Sequence, residues 1–203
     1  MIINEKDKNS AEKAVEILKS GGVIAFATDT VYGLACDALN DDAVKKLYEL
    51  KNRKLSNPIA IFVENLEIAH RFVKFDDKSM KIAKNFMPGA LTLVLEKKEG
   101  NKISDLLNKN DSYIGLRIPN HQFSLELLRN FKGVLAVTSA NLSNQISSTN
   151  ISQIKEYFQD NLDLIIDGGE LSNKASTVIK IVDDEVKILR DGALDKDKIL
   201  SFL

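Results

Sequence analysis

The sequence predicts an α/β fold in which helices flank a twisted, mixed sheet. Three observations carry that expectation. Short charge-free apolar runs, such as residues 23–27 and 134–138, read as strands buried on both faces. Between them, apolar residues recur at helical spacing. Several gaps between runs are too short for a crossover helix, which excludes a regular repeat of parallel strands and requires some antiparallel pairs.

The elements follow in chain order. Residues 1–10 are polar and charged, and no strand is assigned there. Ala11, Ala14, Val15 and Leu18 mark one face of a helix between Asn9 and Lys19, and Gly21-Gly22 supply the positive φ that ends it. The first strand, 23–27, leads into the polar segment Thr28-Asp29-Thr30-Val31-Tyr32-Gly33-Leu34, read as a turn. Further strands are expected at 59–63, 91–95, 114–118, 134–138, 164–167, 177–182 and 186–189. Helices are expected near 41–51, 65–72, 78–86, 122–131, 151–159 and 195–202. Pro58, Pro88 and Pro119 fall at strand edges, where a fixed φ and a missing donor shape loops.

Composition sets the outer limits. A chain of 203 residues that is 44% hydrophobic and 28% charged can bury a sizeable core, and one compact domain spanning residues 1–203 is expected. Its 28 basic and 29 acidic residues leave a formal charge of -1, which argues against a surface built wholly to hold nucleic acid. Any positive region must be local. Cys36 is the single cysteine, so an intramolecular disulfide and a cysteine-rich zinc site are both excluded. With no apolar run approaching the roughly 18–20 residues of a membrane span, a soluble protein of the reducing cytoplasm is expected.

Four kinds of segment carry chemistry. The turn at 28–34 offers two hydroxyls, a carboxylate and a phenol, a set that suits either a polar ligand or an ordinary strand-to-turn transition. Lys51-Asn52-Arg53-Lys54 closes an amphipathic helix, where one or two cations are explained by the helix dipole at about 0.3–1 kcal/mol. Three cations in four residues exceed that need and suit a polyphosphate, with Lys51 and Arg53 exposed at the helix end. Arg117 sits inside the apolar strand Ile114-Gly115-Leu116-Arg117-Ile118, so it needs either an internal acidic partner or an anionic ligand such as an amino-acid carboxylate. Val137-Thr138-Ser139-Ala140-Asn141-Leu142-Ser143, continuing through Ser147, presents small donors that permit close approach of a ligand, while Ser176 opens one late strand and Arg190 closes the last. No Walker-type phosphate loop or paired-glycine dinucleotide fingerprint is present, and His70 and His121 lack metal-ligand spacing, so no protein metal site is expected.

Taken in order, these segments resemble the YrdC-type threonylcarbamoyl-AMP synthase family. The shared pattern runs from about Gly22 to Gly192: the threonine-rich turn, Lys-x-Arg with Asn57-Pro58, Pro88-Gly89 before Leu91-Thr92, Arg117-x-Pro119, Ser139-Ala-Asn141, Ser176-Thr-Val and the terminal Arg190. The resemblance implies a YrdC-like α/β fold with a large electropositive concave cleft. It implies that Lys51, Arg53, Asn57, Ser139, Asn141, Ser147 and Arg190 hold ATP and that Thr30, Arg117 and Ser176 hold L-threonine. Lys51 and Arg53 would be the main catalytic donors. The implied reaction joins ATP, threonine and bicarbonate or carbon dioxide, with Mg²⁺ escorting the triphosphate, and feeds the machinery that places threonylcarbamoyl groups on tRNA.

Ala27, Asn52, Lys54, Phe62 and Asn144 depart from residues common in the family, and could mark its YciO-like branch. That branch suggests a different function, an RNA-binding or ribosome-assembly module that uses the same cleft without efficient turnover. The low net charge and an aromatic content of 6%, not interleaved with the basic clusters, speak against base-stacking platforms. A carbamoyl-adenylate enzyme like the related domain of hydrogenase-maturation proteins is ranked last, because the zinc-finger cysteines of those proteins are absent.

Overall fold

The computed structural model describes residues 1–109, 111–171, 174–182 and 185–202. Ten strands form one sheet: β1 (Ile2–Asn4), β2 (Ile24–Phe26), β3 (Gly33–Asp37), β4 (Ala60–Phe62), β5 (Leu91–Glu96), β6 (Tyr113–Arg117), β7 (Leu135–Ser139), β8 (Leu164–Asp167), β9 (Thr177–Val182) and β10 (Glu185–Arg190). Their order across the sheet is β1-β8-β2-β3-β7-β4-β6-β5-β9-β10. Four pairs are parallel (β1 with β8, β2 with β8, β4 with β6, β5 with β9) and the other five antiparallel, so the sheet is mixed as the sequence implies. The helices are α1 (Ser10–Lys19), α2 (Asp41–Leu50), α3 (Leu66–Ala69), α4 (Asp77–Phe86), α5 (Gln122–Phe131), α6 (Ile151–Phe158) and α7 (Lys196–Ser201). None of the helices described is long and apolar enough to cross a membrane.

Two strands escape the sequence reading. β1 lies within the polar first ten residues and pairs in parallel with β8 at the sheet margin, where exposure of Met1 and Ile2 leaves no apolar alternation to find. β3 begins at Gly33, inside the segment read as a turn, and runs antiparallel to both β2 and β7. Its residues Gly33 to Cys36 are all buried, so it carries the apolar signal, but the polar 28–32 stretch masks where it starts. A short 3-10 turn at Asp105–Asn108 was likewise unassigned.

The helix ends fall where side-chain chemistry can hold them. α1 stops as Gly21 takes φ +83°, while Gly22 is needed for a close approach: a Cβ there would lie 2.8 Å from the carbonyl of Ile17. Asn40 caps α2, its Oδ1 accepting from the Ala43 amide at 3.1 Å.

The sheet separates two apolar layers, and this separation places the site. On one side Ile61, Leu91, Leu93, Leu95, Ile114, Leu116 and Ile179 join the larger core, which includes residues of α2, α4 and α6. On the other side α1 and α5 pack through Ala11, Ala14, Leu18, Phe123 and Leu127 against Ile24, Phe26, Ala35 and Leu135. Those two helices cover the β8-β2-β3-β7 part of this face. Farther along the same face, alternate residues of β4, β6, β5 and β9 line a cavity.

Candidate active site

The cavity, about 340 Å³, is floored by the sheet. Strand periodicity of two puts Tyr113, Gly115 and Arg117 of β6 on its wall together with Thr92 and Val94 of β5 and Val178 and Lys180 of β9. Gly115 keeps the floor open: a Cβ there would sit 3.1 Å from Thr92 Cγ2 and 3.2 Å from Ala60 Cβ. Among the described residues, four cations, Arg53, Arg117, Lys180 and Arg190, line the space together with one carboxylate, Asp111.

Arg117 has the internal acidic partner that the sequence allowed, and it also lines the cavity. Its side chain is 4% exposed, and Nη2 donates to Asp29 Oδ1 at 2.6 Å, so the internal ion pair exists. Nη1 donates to Thr30 Oγ1 at 3.0 Å and Nε to the Gly89 carbonyl at 3.1 Å. The same residue lines the cavity beside Phe62, whose ring centroid lies 5.3 Å from its guanidinium carbon. Burial pulls its pKa down, and Asp29 opposes that shift.

The threonine turn is equally double-natured. Thr28 Oγ1 donates to the Val31 carbonyl at 2.7 Å and accepts from the Thr30 amide at 3.1 Å, an ordinary hydroxyl-stabilised turn. That turn delivers Thr30 Oγ1 to Arg117. Tyr32 anchors it from behind, its hydroxyl donating to the Gly169 carbonyl at 2.7 Å and accepting from the Gly168 amide at 3.0 Å. Burial raises the phenol's pKa to about 12, which keeps it a neutral donor.

The basic cluster after α2 divides in two. Asn52 takes φ +48°, the Asn52 amide bonds Glu49 O and the Arg53 amide bonds Tyr48 O, which together make a Schellman turn with asparagine in glycine's usual place. Asparagine is among the few side chains that tolerate this conformation, and Asn144, another departure from the family pattern, also has positive φ at 69°. Arg53, beyond the turn, lines the cavity, with Nε on the Asn57 carbonyl at 3.1 Å and Nη2 on the Pro58 carbonyl at 2.9 Å. Lys51, before the turn, corrects the expectation of two exposed cations: it is 1% exposed and absent from the lining. Its Nζ donates to Ser139 O at 2.5 Å, Asn141 O at 2.6 Å and Asn141 Oδ1 at 3.2 Å. Burial, and then the charge of Arg53, push its pKa down to about 7.

Of the residues singled out from sequence, Thr30, Arg53, Arg117, Ser139, Ser176 and Arg190 meet on the cavity wall, whereas Lys51, Asn57, Asn141 and Ser147 are absent from its lining. Asn57 acts through its backbone, its carbonyl accepting from Arg53 and from the Tyr48 hydroxyl. Arg190 lies closer to the threonine set than its sequence position suggests: Nε and Nη2 donate to Ser176 O at 3.0 and 2.9 Å, and Nη2 also donates to Ser176 Oγ at 3.0 Å. Ser176 Oγ in turn lies 2.9 Å from Thr92 Oγ1. Arg190, expected with the ATP set, thus touches Ser176, expected with the threonine set. Burial lowers the pKa of Arg190 and Arg53 alike, and the charge of Arg53 lowers that of Arg190 further.

Sequence reasoning missed Thr92, Asn108, Asp111, Tyr113 and Lys180 as wall residues. Tyr113 and Lys180, with Nζ 3.5 Å from the ring centroid, close the end of the trough opposite Arg117. The available signal was their spacing by twos from Gly115 and from Val178. The backbone just past Arg190 packs closely on the start of β9, since a Cβ at Gly192 would fall 2.2 Å from Ser176 C and Thr177 N. Gly192→Ala is therefore expected to destabilise by about 1–3 kcal/mol and to weaken threonine binding. A thermal melt and a threonine titration check both, and unchanged values in each would show that the segment can shift without cost.

Comparison with known proteins identifies the family and the fold. The family model Sua5/YciO/YrdC, described as telomere recombination, matches residues 16–192. The human protein named threonylcarbamoyl-AMP synthase is 37% identical over 163 residues, which is 80% of this chain and 57% of that protein. The crystal structure of Pyrococcus abyssi Sua5 complexed with L-threonine superposes with a TM-score of 0.94 at 33% identity, over 100% of this chain and 61% of that one. Escherichia coli YciO superposes at 0.86 with 25% identity, over 96% of this chain and 95% of that one. The chain thus spans less than two thirds of the length of the human and Pyrococcus relatives and nearly all of YciO. With the family pattern matched across most of its length, the chain belongs to the Sua5/YciO/YrdC family.

Proposed function

We propose that this chain condenses ATP, L-threonine and bicarbonate or carbon dioxide into threonylcarbamoyl-AMP and pyrophosphate, the activated intermediate for threonylcarbamoyladenosine formation in tRNA. The observation that carries the proposal is the convergence of Arg53, Arg117 and Arg190, from three separate segments, on one cavity with small hydroxyls and an open glycine floor. A single anionic metabolite does not need three guanidiniums; a triphosphate beside an amino-acid carboxylate does.

Arg117, fixed by Asp29 and Thr30, takes the threonine carboxylate, with Ser176 and Thr92 at its side. The threonine amine forms a bond to the carbon of carbon dioxide and releases a proton to water. One oxygen of that carbamate then attacks the α-phosphorus, the bond to the bridging oxygen breaks, and pyrophosphate departs. Arg53 and Arg190 neutralise charge on the phosphoryl oxygens, and Ser139 contributes a hydroxyl. No protein nucleophile is required, so the rate comes from holding two reactants in line and from electrostatic stabilisation. Magnesium enters as part of the nucleotide substrate; no cluster of three or more histidine, cysteine or acidic side chains suited to a metal occurs among the described residues. In the cell the product passes, in the cytoplasm, to a tRNA-modifying transferase.

Incubation with ATP, bicarbonate and labelled threonine is expected to move the label into an adenylate. Serine, lacking one methyl group, should be a poorer substrate by about 1–3 kcal/mol, or roughly 10–200-fold. Label that remains in free threonine under all conditions would refute the proposal.

A further inference from the structure

We infer that Lys51 is a positioning residue that locks the Ser139–Asn141 turn to the end of α2, and that it does not itself grip the triphosphate. The inference deepens the proposed synthase function and rests on it for the identity of the nucleotide.

An ammonium has three protons to donate, and Lys51 gives them to Ser139 O, Asn141 O and Asn141 Oδ1. The tie is reciprocal, because the Ser143 amide donates to the Lys51 carbonyl at 3.0 Å. Asn141 passes the constraint on: its Oδ1 also accepts from Ser139 Oγ at 2.5 Å, while its Nδ2 donates to Leu142 O and Gln145 O. The end of this relay is Ser139, which lines the cavity. For Lys51 to reach a phosphate it would have to abandon two backbone carbonyls and a side-chain amide in a dry setting, a poor exchange for one new contact. Arg53, two residues on and beyond the Schellman turn, already faces the space where a phosphate would lie. The Lys-x-Arg pair thus has divided roles, one cation inward to shape a turn and one outward to meet the ligand. The lysine's lowered pKa is what such burial produces.

The test compares Lys51→Met with Arg53→Met, each at a temperature well below its melting point, by calorimetric titration with a non-hydrolysable ATP analogue, steady-state turnover and amide hydrogen exchange. Lys51→Met is expected to keep analogue affinity within about threefold, to lose roughly 100-fold in kcat as a misplaced turn does, and to speed exchange at residues 139–143. Arg53→Met is expected to weaken the analogue about tenfold or more and to leave that exchange unchanged. Should Lys51→Met fail to fold, Asn141→Ser breaks the relay at its other end and is expected to show the Lys51→Met pattern. Analogue binding weakened as much by Lys51→Met, or by Asn141→Ser in its place, as by Arg53→Met would overturn the inference, as would unaltered exchange in the turn. Binding and exchange do not depend on turnover, so a wild-type protein without synthase activity would refute the proposed function while these two readouts still decide the role of Lys51.

Discussion

Arg117→Met is expected to melt about 10 °C early and to lose saturation by threonine, the largest combined effect in the molecule. Methionine keeps most of the aliphatic volume, so little cavity is created. What it leaves is Asp29, 13% exposed, without its cation. Removing one partner of a buried pair costs about 3–5 kcal/mol, and each kcal/mol shifts the melting point of a chain this size by about 2–4 °C. The double replacement Asp29→Asn with Arg117→Met separates the two roles of the arginine. It removes the stranded charge, so it should recover most of the melting temperature, yet it restores no ligand for a carboxylate and threonine should still fail to saturate. A single variant that melts with the wild type would show that the pair is not stabilising; a double variant that regains threonine binding would remove Arg117 from the substrate site.

Arg53→Met is expected to do the opposite, lowering turnover at least tenfold with little change in melting. Among the described residues its guanidinium is tied to the carbonyls of Asn57 and Pro58, four and five residues away, so its loss releases a local loop rather than a long-range contact. Each charge-assisted hydrogen bond to a phosphate is worth about 1.5–3 kcal/mol, which sets the tenfold floor. Steady-state kinetics beside a thermal melt checks it. Wild-type turnover would reduce Arg53 to a solvated helix end, and a drop of many degrees would make it a structural residue.

The contrast between these arginines and Lys51 shows what could be read from sequence. Among the described residues, eight of the ten strands and all seven helices carry periodicity strong enough to be placed from sequence, because their apolar faces meet one of two cores. β1 was hidden because a margin strand with exposed side chains has no alternation, and β3 because a functional turn runs directly into it. The wall residues Thr30, Arg117, Ser139, Ser176 and Arg190 were legible as polar groups at strand ends or within apolar strands, and Arg53 as part of the basic cluster that follows α2. Direction was not legible. Nothing in Lys51-Asn52-Arg53 says that a positive φ at Asn52 sends one cation inward and the next outward, or that Arg190 folds back onto Ser176. Tyr113 and Lys180 were missed because each looks like an ordinary surface residue until β6 and β9 are set on either side of β5.

The central claim is that three reactants meet in one cavity, and pyrophosphate release tests it most directly. The wild-type chain, supplied with Mg·ATP, is assayed with threonine and bicarbonate together and with each withheld in turn. Release that requires both, with one labelled threonylcarbamoyl adenylate formed per pyrophosphate, is the predicted result. Release at the same rate without threonine would contradict it, because the carbamate of threonine would then not be the nucleophile at the α-phosphorus.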